Sequence, residues 1–424
     1  METQKLRMNN RTFIRMWAII LAVVFVLTIA ANIAMNFFSL SMEIFLGRGE
    51  MVVTENPNMA NADTKYYPDP AADLNAYTDA VALAIAEEGE TLFKNNGLLP
   101  LSRGASVTPF GYRYISPVYG GTGSGGVNTD SSRISTAIGA LNEYFSVNGE
   151  VERALASATA EAMTATEYQR PNESGGFQGA GTTIIEFNPA VYSGHEESMN
   201  GTTGIVFIGR VGGEGSDVTA DVPGSAIYGT GYLDGTAHQL ALSEYEKEML
   251  RIAKANCDNV VAIINSSNTV EIGDLMDDGG ELSVDAILWI GGPGGQGFKA
   301  MAKILTGEVN PSGKTVDTWA RDLMTNPAMR NFGNNEYKDL YLLQGGFPTP
   351  VGDPTEMNFV EYEENIYVGY RFFETVYDTD GTFTVFGETG KSYDDAVVVP
   401  FGHGLSYTSF DQEIISHSEA GDEV

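Results

Sequence analysis

Glu214 stands at the crest of a glycine-rich stretch, Gly212-Gly213-Glu214-Gly215-Ser216-Asp217, that follows the apolar run Gly204-Ile205-Val206-Phe207-Ile208-Gly209 after only Arg210 and Val211. An apolar run ending in a glycine loop is the pattern of a buried strand that delivers a side chain to the rim of a sheet. A carboxyl in that place can donate a proton as an acid and accept one as a base. It can equally be one more solvated acid in an acidic chain. Asp217 reads either as a hydrogen-bond partner for a ligand hydroxyl or as the cap of the following turn. Arg210 reads either as a charge-assisted partner of Glu214 or Asp217, or as a plain surface charge.

Other chemistry-bearing residues carry weaker patterns. Gly292-Pro293-Gly294-Gly295-Gln296-Gly297 fits the spacing of a dinucleotide loop and lies between a strand-like run and a helical one. Its proline, its late position and the missing ribose-binding acid argue against nucleotide. Tyr119 to Gly126 has no lysine for a phosphate loop and is either a surface loop or a backbone lying close to a ligand. Cys257, the single cysteine, reads as a small buried hydrophobe. His403 reads as a structural histidine bonded to backbone. His195, His238 and His417 lack cysteine or acidic neighbours at metal-ligand spacing, so no metal and no cofactor is expected.

The elements that must hold these residues can be followed along the chain. Met16 to Met42 contains no charged residue, is long enough to span a bilayer, and is preceded by Lys5, Arg7, Arg11 and Arg15 and followed by Glu43 and Glu50. The positive-inside rule places residues 1–15 in the cytoplasm, a transmembrane helix at 16–42, and the acidic bulk outside, at the cell membrane. A cleaved signal sequence is the alternative, with Ala30-Ala31 and Ala34 as small residues. Asn32 and Asn36 read as near-interface residues. Residues 43–75 read as a tether, rich in Asn, Asp and Pro.

From residue 76 onward strand-like and helical runs alternate. Helices are expected over 75–94, 136–144, 150–165, 243–256 and 298–305, the fourth opened by a Ser243/Glu246 capping box. Strands are expected at 106–110, 182–187, 205–208, 260–264 and 286–290. Strands apolar on both faces and separated by helices imply an α/β three-layer sandwich with a mostly parallel sheet. The chain carries 24 Lys and Arg against 56 Asp and Glu, a formal net charge of −32. A field of that sign repels phosphate backbones, so nucleic acid is not an expected partner.

Five segments together resemble the α/β sandwich domain of glycoside hydrolase family 3, the β-glucosidase-like family. They are Glu87 to Leu101, the loop ending Gly212-Gly213-Glu214-Gly215-Ser216-Asp217, Asn265 to Glu271, Gly307 to Lys314, and Pro400-Phe401-Gly402-His403-Gly404-Leu405-Ser406-Tyr407. Their order covers most of residues 76–410. The resemblance implies a retaining glycosidase in which an aspartate nucleophile lies on a TIM barrel and this domain supplies the acid/base from the loop that Glu214 matches. It also implies that the glycines at 294–297 belong to a family pattern unrelated to nucleotides.

A barrel takes about 200 residues or more, and the sandwich at 76–410 with the anchor and tether leaves no room for one. Residues 411–424 read as the start of a truncated following domain or a tail, as in a branch of the family that places the sandwich before the barrel. The expectation is a membrane-anchored glycosidase acting on a glycoside or oligosaccharide substrate, with its barrel on a separate chain or segment. A carbohydrate-binding or scaffolding module at the cell surface is the alternative.

Overall fold

The computed structural model describes residues 9–38, 73–121, 123–129, 132–164, 184–213, 238–331, 335–336, 341–344, 347–350, 358–359, 362–377, 383–385, 388–409, 411 and 413–416. The chain divides into two compact units, Met1–Ala71 with Lys338–Glu356, and Ala72–Tyr337 with Met357–Val424. In the first unit, helix α1 (Asn10–Phe37) is capped by Asn9, whose side chain accepts the Arg11 N–H at 3.1 Å. It starts earlier than expected, taking Arg11 and Arg15 into its opening turns. Thr28, Asn32 and Asn36 donate back to the carbonyls of Val24, Thr28 and Asn32 at 2.8–3.0 Å, which accommodates polar side chains in an apolar helix. Length and composition suit α1 to cross a membrane, as they would suit a signal sequence. A short hairpin, Tyr341–Gln344 with Phe347–Pro350, is also described in this unit.

The second unit is built on a six-stranded sheet. Its strands are β1 (Thr91–Asn95), β2 (Ser106–Phe110), β3 (Ser146–Val147), β4 (Thr203–Arg210), β5 (Asn259–Ser266) and β6 (Ala286–Trp289), in the order β1-β6-β5-β4-β2-β3. All neighbours are parallel except β1, which runs antiparallel along the β6 edge. Every residue of β4 is buried, as is β5 from Val260 onward, so both faces of the central strands are covered. Helices α2 (Leu74–Gly89), α3 (Ala137–Tyr144) and α6 (Gly297–Leu305) pack together. Helices α4 (Gly149–Thr164) and α5 (Glu244–Asn256) share contacts with the turn Pro189–Tyr192. The result is the α/β layering that the alternating runs imply.

Most elements fall where local signals place them. Ser243 caps α5, and the reciprocal bond from Glu246 completes the capping box. Two expectations fail. The helix expected over 75–94 ends at Gly89, and Leu92 and Phe93 lie in β1, fully buried, because an apolar pair fills a strand as readily as a helix. The strand expected at 182–187 is not one over its described part. Residues 184–187 are buried but join no ladder, and Glu186 instead accepts the N–H groups of Tyr112 and Phe187.

Among the described residues, the Glu90 carboxyl is one of the buried groups without a hydrogen-bond partner. Glu90, between α2 and β1, is 3% exposed, and neither carboxyl oxygen is bonded. Burial, reinforced by the charge of Glu87, holds it well above its ordinary value of 4.5. The unfolded chain ionises above that value while the folded chain keeps the proton. The stability this group contributes is therefore present below pH 4.5 and is lost as pH rises through the folded pKa. Glu90→Leu is expected to stabilise the protein by about 1–3 kcal/mol at pH 7.5, with a smaller gain at pH 4, where folded and unfolded chains both carry the proton and only the unmet hydrogen bonds of the neutral carboxyl remain. Thermal melts at the two pH values measure it, and a variant no more stable than the parent at pH 7.5 would contradict the assignment.

Candidate active site

The sheet has one topological switch point, between β2 and β4. From β2 the chain steps outward to β3, and from β4 it proceeds the other way to β5 and β6. Open α/β sheets bind ligands outside the carboxyl ends of their strands at such a point. Here β2 ends first: Phe110 pairs with Val206, whereas β4 continues beside β5 until Arg210 meets Ser266. The turn after β2 takes up the flank of Phe207 to Arg210. Gly111 makes that possible, since its φ is 97° and a Cβ there would lie 2.4 Å from the Phe207 carbonyl oxygen.

Two arginines and two glutamates are buried around the switch point. Arg210, 4% exposed, closes β4 and forms a bidentate pair with Glu246 of α5, at 2.6 and 2.8 Å. Its Nε donates to the Gln239 carbonyl at 2.5 Å, and its two terminal nitrogens donate to the carbonyls of Gly209 and Ala241 at 2.9 and 2.7 Å. These five bonds match the five N–H donors of a guanidinium. The reading of Arg210 as a surface charge is therefore corrected; its five N–H donors all meet described partners, while Glu214 and Asp217 lie outside the described residues. Removing one partner of such a buried pair costs about 3–5 kcal/mol.

Arg113, in the turn Tyr112–Ile115, is the second arginine. It is 2% exposed, lies over the Tyr112 ring and donates to the Ser116 carbonyl at 3.2 Å. Its side chain runs against Gly209, where a Cβ would fall 2.9 Å from Arg113 Cγ. Glu186 is pushed up to about 8 by burial and by the charge of Glu246, against two backbone N–H bonds and Arg113, which lower it. A carboxyl at that value holds its proton at neutral pH.

Beyond the switch point the rim loops lock together. Asn265, at the end of β5, accepts the Val118 N–H at 2.7 Å and donates to the carbonyls of Val118 and Gly291 at 2.8 and 2.9 Å. One amide thus joins the loops after β2 and β6 to the end of β5. The two glycine loops are in contact: the Gly294 N–H bonds the Tyr119 carbonyl at 2.7 Å, and a Cβ on Gly292 would lie 2.9 Å from Gly120 Cα. At the start of α6, a Cβ on Gly297 would lie 3.4 Å from a Glu90 carboxyl oxygen. An acid at the helix start is the wrong chemistry for phosphate, and the glycines serve close packing between loops.

Glu214 and Asp217 lie outside the described residues, which resume at His238. Val211 to Gly213 leave β4 at the carboxyl rim, beside the switch point. His238, 2% exposed, accepts the Leu240 N–H on Nδ1, which assigns its proton to Nε2 and the 2.9 Å bond to Glu271. His195 lies 3.7 Å from Glu150, so both histidines have acidic neighbours in space that sequence spacing does not reveal. His403 Nε2 bonds the Phe93 carbonyl at 2.9 Å, a backbone role. Cys257 is half-buried, and burial pushes its thiol up.

Arg113, Glu186 and Asn265 were not singled out by sequence reasoning, and Glu246 was read only as a cap. The signal available was a polar residue inside or beside an apolar run, as in Ile184-Ile185-Glu186-Phe187.

Comparison with known proteins places this arrangement. The chain is 28% identical over 354 residues to a beta-glucosidase of Ruminococcus albus, covering 83% of this chain and 29% of that protein. It is 28% identical over 334 residues to beta-glucosidase A of Butyrivibrio fibrisolvens, covering 76% and 34%. Among solved structures, a beta-glucosidase from Paenibacillus barengoltzii superposes with a TM-score of 0.54 at 25% identity, covering 78% of this chain and 30% of that one. Beta-glucosidase 3B from Thermotoga neapolitana, in complex with glucose, gives 0.55 at 24% identity, covering 80% and 39%, a likeness of fold. The chain spans about a third of the length of the curated relatives it matches. Residues 90–370, more than half of the chain, match the model of the glycosyl hydrolase family 3 C-terminal domain, so the chain belongs to that family.

Proposed function

We propose that this chain supplies the acid/base half of a membrane-anchored glycoside hydrolase acting on β-glucosides, with Glu214 as the proton donor and acceptor. The observation that carries the reading is positional. The Gly-Gly-Glu-Gly loop follows β4 at the carboxyl rim, beside the switch point, in a chain of family 3. A protonated Glu214 gives its proton to the leaving oxygen as the glycosidic C–O bond breaks. The nucleophile, on a barrel outside this domain, forms the bond to C1. As a carboxylate, Glu214 then takes a proton from water, whose oxygen displaces the nucleophile. Asp217 is assigned to a sugar hydroxyl. Arg210 serves the site through the fold, because its donors are engaged.

The reading is tested with phenyl β-glucoside as substrate, on this chain alone and together with the barrel-bearing region. Glu214→Gln is expected to lower kcat by about 10²–10⁴, the contribution of a positioned acid–base group, with little effect on Tm. Unchanged kcat in Glu214→Gln would remove the catalytic role. Binding of glucosides with no turnover in either assay would favour the carbohydrate-binding module instead.

The anchor is proposed to be α1, uncleaved, with the acidic bulk outside the cell. Mass spectrometry of the purified membrane fraction is expected to find a chain that retains Arg11 and Arg15. A mature N-terminus just after Ala31 or Ala34 would identify a signal sequence.

A further inference from the structure

We infer that Arg210 is the positioning residue for the acid/base: its guanidinium joins the two ends of the excursion that carries Glu214, fixing where the chain leaves the rim and where it returns. The inference rests on the reading of Glu214 given above and adds the device that holds it.

The departing end is the last residue of β4 itself. Arg210 is in register with Ser266 of β5, so its backbone belongs to the rigid sheet. Only Val211, Gly212 and Gly213 separate it from Glu214. A linker with two glycines gives little direction of its own, so Arg210 is the residue of the rigid sheet nearest to Glu214 along the chain. The returning end comes back to the same side chain. Arg210 Nε bonds the carbonyl of Gln239, 29 residues on, and Arg210 Nη2 bonds that of Ala241, 31 residues on.

These carbonyls belong to a loop and have no ladder to join. A planar group with five donors in fixed directions can gather two of them and both oxygens of a carboxylate at once, four bonds against the three donors of a lysine. Glu246 then ties the junction to α5. Its carboxylate holds Arg210 in a bidentate grip and accepts the Ser243 N–H at 2.8 Å and the Ser243 hydroxyl at 3.0 Å. The capping box and the ion pair are therefore one unit. With Arg210 and Glu246 at 4% and 1% exposure, water does not compete for these bonds.

A second fastening lies beside the first. His238, the first described residue on the return, bonds Glu271, whose carboxylate also accepts the Leu323 N–H at 2.7 Å. The Glu271 N–H bonds the Leu240 carbonyl at 2.9 Å. Residues 238–241 are thus held by Arg210 on one side and by the segment after β5 on the other. A generic surface loop needs neither fastening. A loop whose carboxyl must meet a leaving oxygen within hydrogen-bond reach needs its ends fixed to a fraction of an ångström.

The test separates this role from plain stability. Arg210→Met alone strands the Glu246 carboxylate and is expected to fold poorly. The double variant Arg210→Met/Glu246→Gln removes both charges of the pair and keeps a residue that completes the capping box. In the double variant, hydrogen exchange read by mass spectrometry is expected to speed up roughly tenfold or more at 211–213 and 238–242, the scale of losing one charge-assisted hydrogen bond. Peptides from β5 and β6 are expected to keep parental rates. Unchanged exchange at the two ends, or a uniform rise across all strands, overturns the inference.

The catalytic readout uses two substrates in whichever assay the parent turns over. Phenoxide needs a proton to leave, whereas 2,4-dinitrophenolate does not. A displaced acid is expected to slow the phenyl glucoside about 10²-fold, within the range of acid–base assistance, and to leave the dinitrophenyl glucoside nearly unchanged in its first step. Equal losses on both substrates would assign Arg210 to folding or binding alone and sink the inference. If Glu214→Gln is silent while exchange rises at both ends, the fastening stands and the acid/base reading fails. If Glu214→Gln abolishes turnover but the double variant shows neither effect, the reverse holds.

Discussion

A guanidinium buried where a parallel strand ends must satisfy five N–H groups without water, and this requirement organises the rim. Arg210 meets it with one carboxylate and three carbonyls, which obliges α5, the end of β4 and residues 239–241 to converge on one point. Arg113 enters beneath it only because Gly209 has no side chain. Burial, reinforced by the Glu246 charge, keeps the proton on Glu186. The switch-point crevice is a set of mutually dependent charges in a low-dielectric setting, where an unpartnered member is costly and a partnered one fixes geometry.

The rest of the rim uses neutral groups to the same end. Asn265 binds two loops to the end of β5 with one amide, and the glycine pair at 120 and 292 lets those loops touch backbone to backbone. Trp289 adds a bond from its indole to the Ser266 carbonyl at 2.7 Å. Loops made rigid in this way suit a site that must hold groups in place.

Much of the fold was legible because its signals are local. The apolar runs of β4, β5 and β6 read as strands buried on both faces, and Ser243 with Glu246 announced the start of α5. What was illegible depends on partners far along the chain. The ion pair of Arg210 spans 36 residues and the bond from Tyr112 to Glu186 spans 74, and no periodicity connects such positions. Glu246 was legible as a cap and illegible as a counter-ion, though one carboxylate does both. The boundary between α2 and β1 was missed because Leu92 and Phe93 satisfy either period. Glu90 was missed because an acid at a helix end is ordinarily solvated, whereas this one is enclosed.

Glu214 is proposed to serve as acid in forming a glycosyl–enzyme intermediate and as base in its hydrolysis. The most direct measurement is product analysis of Glu214→Ala acting on 2,4-dinitrophenyl β-glucoside in the presence of azide, with the barrel-bearing region supplied. Azide needs no base: its nitrogen bonds C1 as the bond to the enzyme nucleophile breaks. Faster turnover with azide and a glucosyl azide of retained β configuration are expected. Hydrolysis at the parental rate with glucose as the sole product would contradict the proposed role of Glu214.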